Sequence, residues 1–121
     1  MKVGIDSVII KRFQKMKKLT IFLEKNFTKY EKTYIESKNK HKYETLAGLF
    51  CLKEAFLKAL GVGIYSSISL IDIEINHKEQ GTPYIVINEK IKNILEKENL
   101  KTISASITHT KKTAIAICII E

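Results

Sequence analysis

The sequence predicts an α+β fold in which a largely antiparallel sheet is packed with helices. Two observations carry this. Segments of strand period sit next to one another and are joined by short turns, at 71–87 and again at 103–120. Amphipathic segments of helical period form a block from 11 to 60, with one more at 89–98. The resulting order β, α, α, α, β, β, α, β, β puts strands in hairpins and helices in blocks. A parallel sheet would instead alternate strand and helix regularly. The 121 residues suit one domain, 1–121, with room for a real core.

The elements follow in order. Residues 2–10 are rich in Val and Ile and alternate loosely, as a strand does. From 11 to 27, Phe13, Met16, Leu19, Phe22, Leu23 and Phe27 recur at helical spacing among lysines, which makes one or two helices with a basic face. Thr28-Lys29-Tyr30-Glu31 is a capping box that starts a short helix. Ser37 to Lys42 reads as a basic loop. A long helix is expected from Tyr43 to Leu60, with Gly61 ending it in the left-handed conformation. Ile71-Asp72-Ile73-Glu74-Ile75 alternates strictly and reads as a strand with one wet face. His77 to Gly81 has turn chemistry, and 83–87 pairs back as a hairpin. A charged helix over 89–98 precedes strands at 103–108 and 113–120, joined by a turn at 109–112.

Composition narrows the function. With 45% hydrophobic residues the chain is globular, not disordered. No apolar run approaches the ~20 residues of a membrane span, and the first residues lack the apolar region of a signal peptide. Cys51 and Cys118 lie in apolar surroundings and read as buried, reduced thiols of a cytoplasmic protein. No Cys/His cluster has zinc-ligand spacing. The net charge of +8 points to an acidic partner. Arg12 is the sole arginine beside twenty lysines (21 Lys+Arg less one). Lysine lacks the planar bidentate fork of arginine, so Arg12 is expected to meet a specific anion.

The chemistry concentrates in GLFCLKEAFLKALGVG, residues 48–63. Ala47, Cys51, Glu54 and Lys58 are spaced four, three and four and share one helical face. A solvated Glu–Lys pair there would contribute little. Apolar neighbours on several sides instead suggest a half-buried pair. Such a carboxylate needs a cation and such an ammonium an anion. Mg²⁺ with a phosphate ligand would satisfy both, since magnesium takes one or two carboxylates and completes its shell with water and phosphate oxygens. Asp6 is the second carboxylate candidate: an acid in an apolar strand, two residues after Gly4, which leaves room for close approach of a ligand or another backbone. Gly61-Val62-Gly63 can bring backbone amides to a phosphate or simply turn the chain.

Together these pieces resemble one family. Gly4-Ile5-Asp6 followed by Arg12 is similar to its opening G-x-D-x-x-x-x-x-R, and Lys53 to Ile64 to its K-E-A-x-x-K-A-x-G-x-G-I. Asp72 to Ile75, Gly81-x-Pro83-Tyr84, Ser106 to His109 and Ala116 to Glu121 follow in the right order. The family is holo-[acyl-carrier-protein] synthase, the short bacterial type of 4′-phosphopantetheinyl transferase, and the resemblance spans nearly the whole chain. It implies a transferase of fatty acid and lipid biosynthesis that moves the phosphopantetheine arm of coenzyme A to a serine of apo-acyl carrier protein, releasing 3′,5′-ADP. It further implies that Asp6 and Glu54 hold Mg²⁺, that Lys58 contacts the phosphates, and that Gly61 and Gly63 shape a loop against coenzyme A. Gly81, Pro83, Thr108 and His109 would border the nucleotide, with Lys40, His41 and Lys42 at its 3′-phosphate. Arg12 and Lys15, with Lys11, Lys17 and Lys18 nearby, would steer the acidic carrier, and Met16 or Phe22 would anchor it. The family's site lies between subunits of a homotrimer. The serine's base is either a metal-activated water or a carboxylate. Leu49 stands where the family often has arginine, and Thr82 where Gly-Lys-Pro is common, so positive charge is lost near the nucleotide. The rival reading, a basic nucleic-acid-binding module, accounts for the charge but not for the acid pair. Neither nucleic acid nor membrane is therefore expected as a partner. His77, in a hairpin turn, has no functional assignment.

Overall fold

The computed structural model describes residues 1–61 and 67–121. Strand β1 (Lys2–Ile9) leads into two short helices, α1 (Lys11–Gln14) and α2 (Leu19–Asn26), then α3 (Lys29–Ser37) and the long α4 (Lys42–Leu60). The hairpin β2 (Ile75–His77) and β3 (Pro83–Ile85), helix α5 (Glu89–Lys97), and strands β4 (Ile103–His109) and β5 (Thr113–Ile120) complete the order. The pairings of β1 with β5, β4 with β5 and β2 with β3 are all antiparallel, in a three-stranded sheet ordered β1-β5-β4 and a two-stranded one. The expected α+β class holds.

Helix α4 lies across one face of the larger sheet because both surfaces are cut to fit. Ala114, Ala116 and Cys118 of β5 are small and buried beneath it. Gly4 is where β1 meets the helix: a Cβ there would stand 1.9 Å from the Ala55 carbonyl oxygen. The close approach read from sequence is thus to another backbone. At the other edge of the sheet, a Cβ on Gly48 would come within 2.8 Å of Ile107. Buried Leu and Phe side chains along α4, each contributing about 2 kcal/mol, make it the centre of the core. Phe13, Phe22, Phe27 and Phe50 form an aromatic cluster that seats α1 and α2 on α4, with ring centroids 5.4–6.0 Å apart.

Four expectations need correction. The strand read at 71–75 is only Ile75, because Leu70–Asp72 forms a 3₁₀ turn. The Asp72 carboxylate accepts from the Ser69 amide at 2.9 Å and the Ser69 hydroxyl at 3.0 Å, which wraps the chain locally despite its alternating pattern. His77 is consequently in a strand, opposite Pro83, with Lys78 and Gly81 closing the turn. The basic loop at 37–42 is not a loop: Ser37 ends α3, Asn39–His41 is a 3₁₀ turn, and Lys42 opens α4. Gly61 does end α4 at positive φ (94°), but its ψ of 168° is extended, not left-handed helical. The capping box stands as read: Thr28 accepts from the Glu31 amide and Glu31 from the Thr28 amide.

The outer face of the larger sheet carries Val3, Ile5, Ile9, Ile115, Ile117 and Ile119, rows of which register across β1 and β5. Ile5 is 59% and Ile9 63% exposed. Among the described residues, no helix is long and apolar enough to cross a membrane.

Candidate active site

Asp6 points from β1 toward α4, on the same sheet face as Gly4 and Val8. Lys58 reaches it: the ammonium donates to Asp6 Oδ1 at 2.9 Å and to the Ile5 carbonyl at 3.2 Å. Asp6 is largely covered, whereas Lys58 is half exposed. Cys51 and Glu54 precede Lys58 on the same helical face. Burial pushes the Cys51 thiol up to about 12, and the charges of Asp6 and Glu54 push in the same direction. One thiol therefore feels both carboxylates, which places the strand acid and the helix acid in one cluster. Sequence reasoning expected a half-buried Glu54–Lys58 pair. Glu54 is half-buried, and Lys58 makes an ion pair with Asp6.

The fully buried charge of α4 is one residue earlier. Lys53 donates to Glu31 Oε1 at 2.7 Å, to the Asn26 carbonyl at 2.8 Å and to the Leu70 carbonyl at 3.0 Å. All three ammonium protons are used. The other Glu31 oxygen accepts from the Ile75 amide at 2.9 Å. Burial pulls Lys53 below the usual lysine value, and the charge of Glu31 opposes that pull. This pair ties α3, the end of α2 and the approach to β2 onto α4 beside Glu54. Sequence reasoning missed it. The signal was present in Lys53, the one lysine at an apolar position of the helix, and in Glu31, which was assigned only to the cap.

The residues expected around a nucleotide gather elsewhere. An open cleft of ≈ 340 Å³ is lined by Gly81, Pro83, His109, Leu49, Tyr34 and His77, among others. A second, of ≈ 600 Å³, adjoins it and shares Glu44 and His109, with His41, Thr110 and Lys111 as further walls. His41 Nδ1 lies 2.8 Å from Glu44 Oε2, and this contact holds the Glu44 carboxyl below its usual value. Lys40 is exposed on the same 3₁₀ turn. Thr108 lies on the opposite face of β4 from His109, facing Ile115, and lines neither cleft. Gly63 lies outside the described residues.

The two groups occupy opposite edges of the sheet. Asp6 pairs with Ala116, and Ala116 pairs with Ile107 of the first cleft. Two strand spacings put about 10 Å between the β1 and β4 edges, and α4 lies between the sites. On a third surface, the Arg12 guanidinium packs over the rings of Phe13 (5.5 Å) and Phe50 (5.1 Å). Stacking is one thing that lysine does poorly. Lys11 and Lys15 beside it are exposed, and Met16 and Phe22 are partly buried against the core.

Residues 2–118 match the ACPS model, described as the 4′-phosphopantetheinyl transferase superfamily, and the chain belongs to that superfamily. Within it, the relatives are holo-[acyl-carrier-protein] synthases. The one from Thermoanaerobacter sp. (strain X514) is 42% identical over 118 residues, covering 97% of this chain and 84% of its own. The crystal structure of the Helicobacter pylori enzyme in complex with coenzyme A is 35% identical, with a TM-score of 0.83 over 98% of this chain and 99% of that one. A Bacillus anthracis structure in complex with coenzyme A (3′,5′-ADP) is 30% identical, with a TM-score of 0.80 over 98% and 94%.

Proposed function

We propose that the protein transfers the 4′-phosphopantetheine arm of coenzyme A to a serine of an apo-acyl carrier protein, and that Asp6, Glu54 and Lys58 are where the chemistry occurs. The observation that carries the assignment of the site is the meeting of a strand carboxylate, a helix carboxylate and a lysine in a chain that matches these synthases over nearly its full length. The serine oxygen forms a bond to the β-phosphorus of coenzyme A. The bond from that phosphorus to the bridging oxygen breaks, and its electron pair leaves with 3′,5′-ADP.

The residues suit Mg²⁺. Asp6 and Glu54 offer hard oxygen donors, and Cys51, with its thiol pushed up to about 12, stays protonated and offers no thiolate. Among the described residues no group of three or more His, Cys, Asp or Glu is placed to hold a metal. Two carboxylates leave most of an octahedral shell to water and phosphate, which is the magnesium habit. When bound, the ion would supply positive charge against the charge developing on the pyrophosphate oxygens. Lys58 adds a cation at the same place, positioned to contact a phosphate. The serine proton passes to a carboxylate or to water beside it.

The clefts at the β4 edge are assigned to the nucleotide of coenzyme A, with His41, His109 and Lys111 toward its 3′-phosphate. A coenzyme laid from that edge to the β1 cluster of the same chain would have to cross α4. A neighbouring subunit resolves this, and the exposed apolar face of β1 and β5 offers the surface for it. The homotrimer is accordingly part of the reading. The exposed Arg12, Lys11 and Lys15 provide the docking surface for an acidic carrier. Two buried free thiols suit a reducing cytoplasm.

The test is the intact mass of an apo-acyl carrier protein after incubation with this protein, coenzyme A and Mg²⁺. The carrier should gain one phosphopantetheine arm, and EDTA should prevent the gain. An unchanged mass, with a carrier that another transferase can modify, would refute the reading.

A further inference from the structure

His77 received no function from the sequence, yet the structure puts it in the wall of the first cleft. Its ring lies 3.9 Å from that of Tyr34, centroid to centroid, and the Lys38 ammonium sits 4.6 Å from the Tyr34 centroid. The imidazole is thereby held between an aromatic ring and the hairpin β2–β3. Burial, and then the positive charge of Lys38, lower its pKa, so the ring is neutral at physiological pH. A neutral imidazole has one N–H and one bare nitrogen. His77 Nδ1 is sealed from solvent and has no hydrogen-bond partner among the described residues. A buried N–H without an acceptor is rarer and more costly than a bare nitrogen left open. The proton therefore resides on Nε2, the ring nitrogen that is not sealed off. The cleft thus holds an aromatic wall, a neutral donor and apolar surface from Leu49, Pro83 and Ile107. Lys38 and Glu44 also line this cleft, and the second cleft adds His41 and Lys111. An aromatic wall with a neutral donor suits a flat base with ring-nitrogen acceptors, and Lys111 in the adjoining cleft suits an anionic phosphate.

We propose that His77, oriented by Tyr34, is a specificity-determining residue that donates from Nε2 to a ring nitrogen of the adenine of coenzyme A. The inference rests on the assignment of the clefts to coenzyme A. It also offers a reason why the chain tolerates leucine at position 49: recognition has shifted from charge toward the base.

The test is calorimetric titration of the intact protein with 3′,5′-ADP and with ribose 3,5-bisphosphate, which lacks the base. His77→Phe keeps a ring against Tyr34 and removes the unpaired Nδ1, so it should fold at least as well as the wild type. It should bind 3′,5′-ADP about tenfold more weakly, the loss of one hydrogen bond, and bind the base-free bisphosphate unchanged. His77→Gln, which retains an N–H, should recover most of the difference. Equal weakening toward both ligands would make His77 a scaffold residue and overturn the proposal, as would undiminished binding of 3′,5′-ADP by His77→Phe. If the wild type bound both ligands equally, His77 would not read the base, while the coenzyme A assignment would stand. If it bound neither, the assignment of the clefts would fall and this inference with it.

Discussion

Single residues in this chain are placed by what their neighbours lack. Asp6 is covered by α4 and answered by Lys58, so an acid persists in an apolar strand because a cation stands 2.9 Å away. Arg12 was legible as an exception to the lysine-rich composition, but the reason was only half visible. The sequence suggested a bidentate fork; the structure adds two aromatic faces beneath the guanidinium. Stacking holds the plane in place and leaves its edge for a carboxylate. Arg12→Ala should therefore raise KM for the carrier several-fold and leave KM for coenzyme A within twofold, since one docking contact is typically worth about 1 kcal/mol. Steady-state kinetics with each substrate varied in turn would check this. Equal rises in both constants would make Arg12 structural.

At the scale of elements, the reading of sequence succeeded where period and caps agreed. The Thr28 capping box, the run of α4 and the two C-terminal strands belong to this class. It failed at 71–75, where alternation imitated a strand while the Asp72 carboxylate and the Ser69 amide and hydroxyl wound the chain into a turn. Short local hydrogen bonds outcompete a period of two when few ladder bonds are at stake. It also failed at Lys53, because burial of a charge depends on partners distant in sequence. Glu31, Asn26 and Leu70 come from three other segments, so the apolar position of Lys53 in α4 signals its burial but not these partners. Lys53→Met should leave Glu31 buried and unpaired and cost about 3–5 kcal/mol. Lys53→Met with Glu31→Leu should recover part of that loss, short of wild type because the Thr28 and Ile75 amides then lose their acceptor. Urea titrations of the two variants decide it: a single variant as stable as the wild type would show that the network carries no weight.

For the whole molecule, the sequence conveyed the class of fold and named candidate site residues, but not how far apart the fold sets them. Asp6, Glu54 and Lys58 share one edge of the sheet; Gly81, Pro83 and His109 share the other. Spacing along a chain cannot express that division, since it arises from the strand order β1-β5-β4. In the proposed reading the site is completed between copies, with the outer face of the sheet as the contact. Ile5→Lys together with Ile115→Lys should convert a trimer into a monomer by light scattering, keep the far-UV circular dichroism, and remove most transfer activity. A monomer that transfers at the wild-type rate would contradict the shared site.

The central claim is that transfer depends on the carboxylates of the β1 edge. It is tested most directly by the rate of phosphopantetheine transfer, followed as the intact mass of the carrier, for wild type, Asp6→Ala and Glu54→Gln. Titration with 3′,5′-ADP runs alongside to check that the clefts at the β4 edge, which the proposed reading assigns to the nucleotide, still bind. The account predicts a fall in rate of about a hundredfold or more for each variant, with nucleotide binding largely kept. Transfer at the wild-type rate by either variant would place the chemistry elsewhere in the molecule.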